Sequence, residues 1–349
     1  MKRRSVTKAL SLAVGAGLLR GSPLAMLAAR GATAQDKRAL EIQLLGFVLA
    51  IQTPANAAVG DIMPSMFGYA PPKVVRVDQV RTVTQSMVGG AMDIGSADLP
   101  TVMSAVEAGA KLKVVGKLYD KTTHVLVVNG DKIKSFDDLI QPGVIVSVGN
   151  RGEVSQLMLF EPLRKRGIDF NKVTNVEIPG SGSRMTALQS GRIAATYMHF
   201  DQFAAISDKG NFKILIEPWK EFPAWWHEVW TARTDWLDKP QNQRALVDLL
   251  KANIIAFRKA NSDFDWYLQM YRKYSSLKDA KTVTEPVLRP IWERIRNDIK
   301  AWPNDMNFTQ AEAASLVPAY KAAEAIRGTA RVEDVVEPKY VQLALQELK

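Results

Sequence analysis

The sequence predicts an α/β protein of two similar lobes, and three observations carry that prediction. The first is a pattern that occurs twice, at 85–99 and at 186–200, in which an amphipathic helix ends at a glycine (Gly90, Gly191) and a short strand of small apolar residues follows at once. A helix C-terminus ends most easily in a left-handed residue, and glycine adopts that conformation without steric cost. The second is the polar turn closing each copy, Ser96-Ala97-Asp98 in one and Met198-His199-Phe200-Asp201 in the other. In an open α/β sheet such turns lie at the carboxyl ends of strands, where ligands bind. The third is the alternation of single strands with single helices through both halves, which implies sheets flanked by helices on both faces. Copies about a hundred residues apart are too distant for a solenoid, so two lobes facing each other across a cleft are expected.

The elements follow in order from apolar periodicity. Residues 40–47 read as a strand, 55–67 as a helix with Pro64 inside it, 73–77 as a strand, 81–88 as a helix and 92–96 as a strand. The helix 99–108, the strand 112–118 and the β-rich run 124–128 complete the first half. In the second half 135–139 is a capped helical turn, 144–148 a buried strand, 154–166 a helix and 173–178 a strand. The helix 183–189, the strand 193–197, the helix 203–208 and the strand 212–216 repeat the same grammar. From Asn242 onward the chain reads as helical, with Pro240, Pro286, Pro290, Pro303 and Pro318 marking starts and breaks. Two β-rich runs, 124–129 and 228–233, have no helix between themselves and a partner. If the chain leaves one lobe along the first and returns along the second, lobe one comprises 35–128 and 229–349 with a helical tail, and lobe two 129–228. Each lobe is then a mixed sheet flanked by helices, and a two-strand hinge lets the lobes close by small dihedral changes.

Residues 1–34 read as an export signal: a basic head (Lys2, Arg3, Arg4, Lys8), a weakly apolar run over 9–19, and Ala32-Thr33-Ala34 as a cleavage site before Gln35. Arg3-Arg4-Ser5-Val6-Thr7-Lys8 also resembles a twin-arginine signal, with an ordinary secretory signal as the alternative. The apolar run is well below the ~20 residues of a membrane span, and Arg20 interrupts it. The chain is formally +10, but the leader holds six basic residues and no acid, leaving 40 basic against 36 acidic, or +4. That balance does not point to a nucleic-acid binder and is compatible with a small anionic ligand. With no cysteine there is no disulfide, thiolate nucleophile or iron–sulfur site, and no two histidines have the spacing of a helical chelate. No cofactor and no metal are therefore expected.

Four strings occur together: Gly-Gly-Ala-Met-Asp-Ile-Gly-Ser-Ala-Asp from Gly89, Ile-Lys-Ser-Phe-Asp-Asp-Leu from Ile133, Val-Ser-Val-Gly-Asn-Arg-Gly-Glu-Val-Ser from Val146, and Arg-Met-Thr-Ala-Leu-Gln-Ser-Gly-Arg-Ile-Ala-Ala from Arg184. In that order and spacing they resemble the solute-binding proteins of the nitrate, sulfonate, taurine and thiamine-precursor ABC importers, over most of 38–260. The resemblance implies a type II periplasmic-binding-protein fold and capture of a solute in the interlobe cleft. It further implies periplasmic location and delivery to a membrane permease driven by a cytoplasmic ATPase. The sequence departs from the family at Ile193-Ala194-Ala195-Thr196, where an acidic residue usually precedes the pocket turn. Nitrate, a sulfonate, an aromatic carboxylate and a pyrimidine all stay open as ligand.

Candidate contacts follow from the strand-end turns and from family position. The loop with Asn150, Arg151 and Gly152, and Ser155 beyond it, leaves a buried strand and opens a helix, so free N–H groups and the positive end of the helix dipole face the cleft. Arg151 is either a fork for an acidic ligand or a solvated residue paired to Glu153. Ser96 and Ala97 are small enough to let a ligand approach, with Asp98 expected to cap the next helix. Gln52 and Thr53 are ligand hydrogen-bonders or turn and capping residues ahead of Pro54. Tyr197, His199 and Asp201 come from the second turn, where His199 is expected in the pocket. His124 is expected to make a structural hydrogen bond, and His227 suits either role. All eight tryptophans lie between 219 and 302. Trp225 and Trp226 are expected at the cleft's mouth, with packing of the lobe junction as the alternative, and Trp230 in that junction.

Other classes fare worse. Pyrimidine-forming enzymes of the same fold need a cysteine-rich iron motif, and Gly180-Ser181-Gly182-Ser183 lacks the arrangement of a nucleophile elbow. A transcription regulator is at odds with the export signal. The sequence thus predicts a monomeric binding protein with no catalytic residues.

Overall fold

The computed structural model describes residues 39–349 apart from Phe47, Asp78, Asp120 and 223–225; residues 1–34, expected to be an export signal, and Trp225 lie outside the described residues. The first half runs β1 (Glu41–Leu45), α1 (Thr53–Ala57), α2 (Met63–Phe67), β2 (Lys73–Val77), α3 (Val80–Val88), β3 (Ile94–Ala97), α4 (Leu99–Glu107) and β4 (Leu112–Tyr119). The second half runs β5 (His124–Asn129), β6 (Ile145–Ser147), α5 (Val154–Lys165), β7 (Thr174–Asn175), α6 (Ser181–Gln189), β8 (Ala195–His199), α7 (Phe200–Ala204) and β9 (Phe212–Ile216). After α8 (Pro218–Glu221), β10 (Glu228–Arg233) and α9 (Thr234–Leu237) come the tail helices α10 (Pro240–Ser262), α11 (Phe264–Tyr274), α12 (Glu285–Glu293), α13 (Gln310–Ala322), α14 (Val332–Val335) and α15 (Lys339–Glu347).

These strands form two five-stranded mixed sheets of matching design, ordered β2-β1-β3-β10-β4 and β7-β6-β8-β5-β9. In each, three parallel strands are followed by an antiparallel one. That fourth strand is in both cases the first to arrive after a crossover from the other lobe. The chain therefore crosses twice, once between β4 and β5 and once between β9 and β10. Because β5 pairs along its length with β8 and β9, the run 124–129 belongs to lobe two. The division expected after residue 128 thus falls ahead of His124. An apolar strand carries no mark of which sheet will accept it, since the partner strand is distant in sequence.

Several elements differ from expectation for local reasons. The helix expected over 55–67 starts at Thr53 with Pro54 in its first turn, a position where a missing N–H costs nothing. A π-helical turn, Ala58–Ile62, then separates α1 from α2. Pro64 cannot donate to Gly60, and the chain accommodates that lost bond with the wider turn in which the Met63 N–H reaches Ala58 O. Of the strand expected over 173–178 only Thr174–Asn175 pairs. The helix after β8 begins at Phe200 rather than 203, because the Gln202 side chain accepts the His199 N–H and starts the first turn early.

The tail packs on lobe one and shares its core. Trp302 Nε1 donates to Ile51 O at 2.9 Å, Tyr267 Oη donates to Ala50 O at 3.0 Å, and Val48 exchanges bonds with Ser276 through both its N–H and its carbonyl. The loop after β1 is thereby fixed by tail residues more than two hundred positions away. Close packing of α3 on β3 depends on Gly95, where an added Cβ falls 2.4 Å from Val83 Cγ1, a stiff β-branched methyl. Gly95→Ala is expected to destabilise lobe one by ~1–3 kcal/mol. Urea unfolding should show a lower midpoint at unchanged slope; a midpoint equal to the parent's would show that α3 yields freely.

Candidate functional site

The turns after β3 and β8 face each other, and each sends an aspartate across to the other lobe. Asp98 caps α4 by accepting the Thr101 N–H at 2.9 Å with one oxygen, and with the other it accepts the Val154 N–H of α5 at 2.9 Å. Asp201, in the first turn of α7, accepts the Ala50 N–H at 2.8 Å. Both carboxyls are almost wholly buried, and burial pushes each up to about 6. For Asp98 the neighbouring Glu153 adds to the rise.

Between the turns lies a cavity of about 110 Å³. Lobe one lines it with Leu49, Gln52, Asp98 and the crossover residues His227 and Glu228; lobe two lines it with His124, Asn150, Glu153, Ser155, Arg184 and His199. Glu153 accepts the Asn150 N–H and amide, which holds the 149–153 loop against α5. Arg184 is anchored beneath the cavity by donating to Tyr197 O and Ile178 O at 3.2 Å each. It has no ion pair among the described residues, and burial lowers it to about 10. Glu228 has one long bond, from Gln52 Nε2 at 3.5 Å, and burial raises it to about 7.

The three histidines, scattered in sequence, converge here. His124 and His199 lie with ring centroids 3.9 Å apart, and His227 meets His124 edge-on at 4.9 Å. Burial holds all three below the ordinary range, His227 at about 4, and for His124 and His199 the neighbouring rings and Arg184 add to the depression. They are therefore neutral near pH 7. Among the described residues no group of three or more His, Asp and Glu side chains has the geometry to hold a metal ion.

Of the residues singled out from sequence, Gln52, Asn150, Ser155 and His199 line the cavity. Asp201 acts one layer behind it, through Ala50. Thr53 is buried and donates to Leu49 O, a helix-start role. Ser96 and Ala97 are buried in β3 and pair with Trp230 and Val229. Tyr197 is a core residue whose hydroxyl donates to Met158 O at 2.7 Å. Arg151 and Gly152 line a separate surface groove, and Arg151, its side chain 70% exposed, pairs with Glu324 rather than Glu153. Trp226 is buried edge-on against Phe308 in lobe one. Sequence reasoning left out Arg184, Glu153 and Glu228, and gave His124 a structural role only. The available signal was that His124 and Glu228 open the two strands reached by the crossovers.

The fold is that of two-lobed periplasmic binding proteins, as solved structures confirm. The aliphatic sulphonate binding protein SsuA from Escherichia coli superposes with a TM-score of 0.64 at 17% identity, covering 88% of this chain and 100% of that one. The nitrate-binding protein NrtA from Synechocystis gives 0.70 at 12% identity, covering 90% of each chain. The desulfurization enzyme DSZB gives 0.57 at 12% identity over 88% of this chain and 100% of that one. Among curated proteins, none matches the chain by sequence. The profile of the NMT1/THI5-like family matches residues 74–255, more than half of the chain, and the chain belongs to that family.

The raised Glu228 carboxyl has a measurable consequence. Its unfolded value near 4.5 lies below the folded value of about 7, so ionisation costs the fold, and this cost is present at high pH and disappears as pH falls through 7 toward 4.5. Glu228→Gln is expected to be more stable than the parent at pH 8 by on the order of 2–3 kcal/mol, with little difference left at pH 4.5. Thermal unfolding at both pH values checks this; a gap independent of pH would show that Glu228 titrates normally.

Proposed function

We propose that the chain is an extracytoplasmic solute-binding protein that captures a small, polar and anionic solute in the interlobe cleft and delivers it to an ABC importer. The observation that carries this reading is the buried polar cavity between two lobes that are bridged by Asp98 and Asp201. Family membership and the sulfonate- and nitrate-binding neighbours support it. In this reading the leader 1–34 is removed on export and the protein works as a monomer beside its permease and ATPase. The cleft is read as a binding site and not a catalytic one, because Asp98 and Glu153 are engaged with backbone N–H groups and Ser155 Oγ has no hydrogen-bonded base among the described residues. A pyrimidine is the second reading, favoured by Glu228, which can accept from a ring amino group.

Closure follows from differential contact: only a ligand that touches both lobes shifts an open protein to a closed one. Native mass spectrometry of protein from its own cell envelope should reveal a small copurified solute, and small-angle scattering should give a smaller radius with that solute than without. Binding with no change in radius, or conversion of the solute by pure protein, would overturn the reading. Asp201→Ala leaves the buried Ala50 N–H without its partner and is expected to weaken solute binding about tenfold, in line with ~1–3 kcal/mol for an orphaned buried group. Arg151→Ala should bind within twofold of the parent, since Arg151 lies outside the cavity; a tenfold loss by titration calorimetry would return Arg151 to the site.

A further inference from the structure

Three carboxyls and three imidazoles are buried where the lobes meet, each at most 8% exposed. Lobe one supplies Asp98, His227 and Glu228; lobe two supplies His124, His199 and Asp201. Five of them line the cavity, and Asp201 lies one layer behind it at the contact with Ala50. Their hydrogen-bond partners carry no charge. Asp98 and Asp201 accept backbone N–H groups, Glu228 accepts the Gln52 amide, and threonine hydroxyls lie 2.7 Å from His124 and His199. The His227 ring meets His124 edge-on, and its Nδ1 is buried without a partner among the described residues. Asp98 is faced by Glu153, Glu228 and Tyr320, Glu228 also by Tyr119, and Asp201 by Tyr267 and Tyr271 of α11. Arg184 faces His124 and His199, which also face each other and His227. Burial pushes the four tyrosines further above 10, so they stay neutral while the six titrate, and Arg184 at about 10 stays charged.

Parting the lobes admits water to all six groups. The aspartates then fall from about 6 toward 3.8 and Glu228 from about 7 toward 4.5, while each imidazole climbs back toward 6.5. Closure runs both changes in reverse. From about pH 7 down to about 4 the carboxyls take up protons as they are buried, and from about pH 7.5 downward the imidazoles, charged in part while wet, give protons up. Carboxyls alone would make the cleft shut in acid and open in base, and imidazoles alone would do the opposite. We propose that the three carboxyls and three imidazoles form a compensated set, so that the lobes close with no net exchange of protons and closure is insensitive to the pH of the surrounding medium. This compensation rests on the lobe opening of the binding-protein reading and on no property of the solute.

The chain has no cysteine, so two introduced thiols can hold the lobes shut. Arg151 and Glu324 reach each other across the lobes at 2.8 Å, outside the cavity. Solute-stripped protein carrying Arg151→Cys and Glu324→Cys is either bridged by a short bis-methanethiosulfonate, which keeps the lobes closed, or capped at both thiols with methyl methanethiosulfonate, which leaves them free. Neither form has a thiol that titrates. Proton spectra should show the three imidazoles titrating near pH 6.5 when capped and staying neutral to below pH 5 when bridged. Potentiometric titration should nevertheless find the two forms holding the same number of protons, to within about half a proton, from pH 5.5 to 8. On this background Glu228→Gln should make the bridged form hold about one proton fewer than the capped form at pH 6, and His227→Gln about one proton more. Imidazoles that titrate alike in both forms, a net difference above one proton in the parent pair, or two variants that shift the count in the same direction would overturn the proposal. The change of radius with the copurified solute reports separately on the binding-protein reading.

Discussion

Asp98 and Asp201 are the constraint on which the rest of the site depends. Each sits where a strand of one sheet gives way to a helix, and each accepts a backbone N–H from the opposite lobe. A carboxyl in such a place needs donors, because an unpaired buried charge is far more costly than an unpaired amide. The helix starts supply them: Val154 at the head of α5, and Ala50 just ahead of α1. The lobes are thus held with the two strand-end turns face to face, and the cavity is what remains between them. When the lobes part, water replaces the lost partners, so the bonds favour closure only modestly. On the proposed binding-protein reading, that modest balance lets a solute decide the position of the equilibrium.

The same pair explains how much was legible in the sequence. The two turns stood out because a glycine, a run of small residues and an acid recur at matching places, and local chemistry suffices to recognise them. The α/β alternation and most strands were readable for the same reason. What the turns reach was not readable: Asp98 lies fifty-six positions from Val154, and Asp201 a hundred and fifty-one from Ala50. His124, His199 and His227 meet only because β5 pairs antiparallel with β8 and the return crossover ends beside them. Spacing along the chain could not announce that cluster. Arg151 misled because a cation at a helix start is a good anion site by itself, and only the packed structure shows its pairing with Glu324 at 2.8 Å. Trp226 misled in the opposite sense, as an aromatic residue beside a hinge that turns into the core.

Placement of charge separates structure from recognition. Away from the cleft ionisable groups pair with one another, as Arg244 and Lys251 do with Asp248 and Glu347. Inside the cleft the pairing stops. Arg184 is bonded to carbonyls, Glu228 to one amide, and His124 and His199 to hydroxyls. Groups left half-satisfied in a buried place retain capacity for something that is not part of the chain.

The anchoring of 48–51 by Ser276, Tyr267 and Trp302 also ties completion of the cavity to the far end of the chain. Lobe two is one continuous segment from β5 to β9, and its sheet closes with no help from later residues. Lobe one is interrupted: its fourth strand is β10, and the loop that meets Asp201 is secured by residues of the tail. Contacts of such long sequence separation form late, because loop closure must precede them. The chain up to β9 thus contains every strand of lobe two but only four of the five of lobe one, and the cavity between the lobes is complete only with the tail in place.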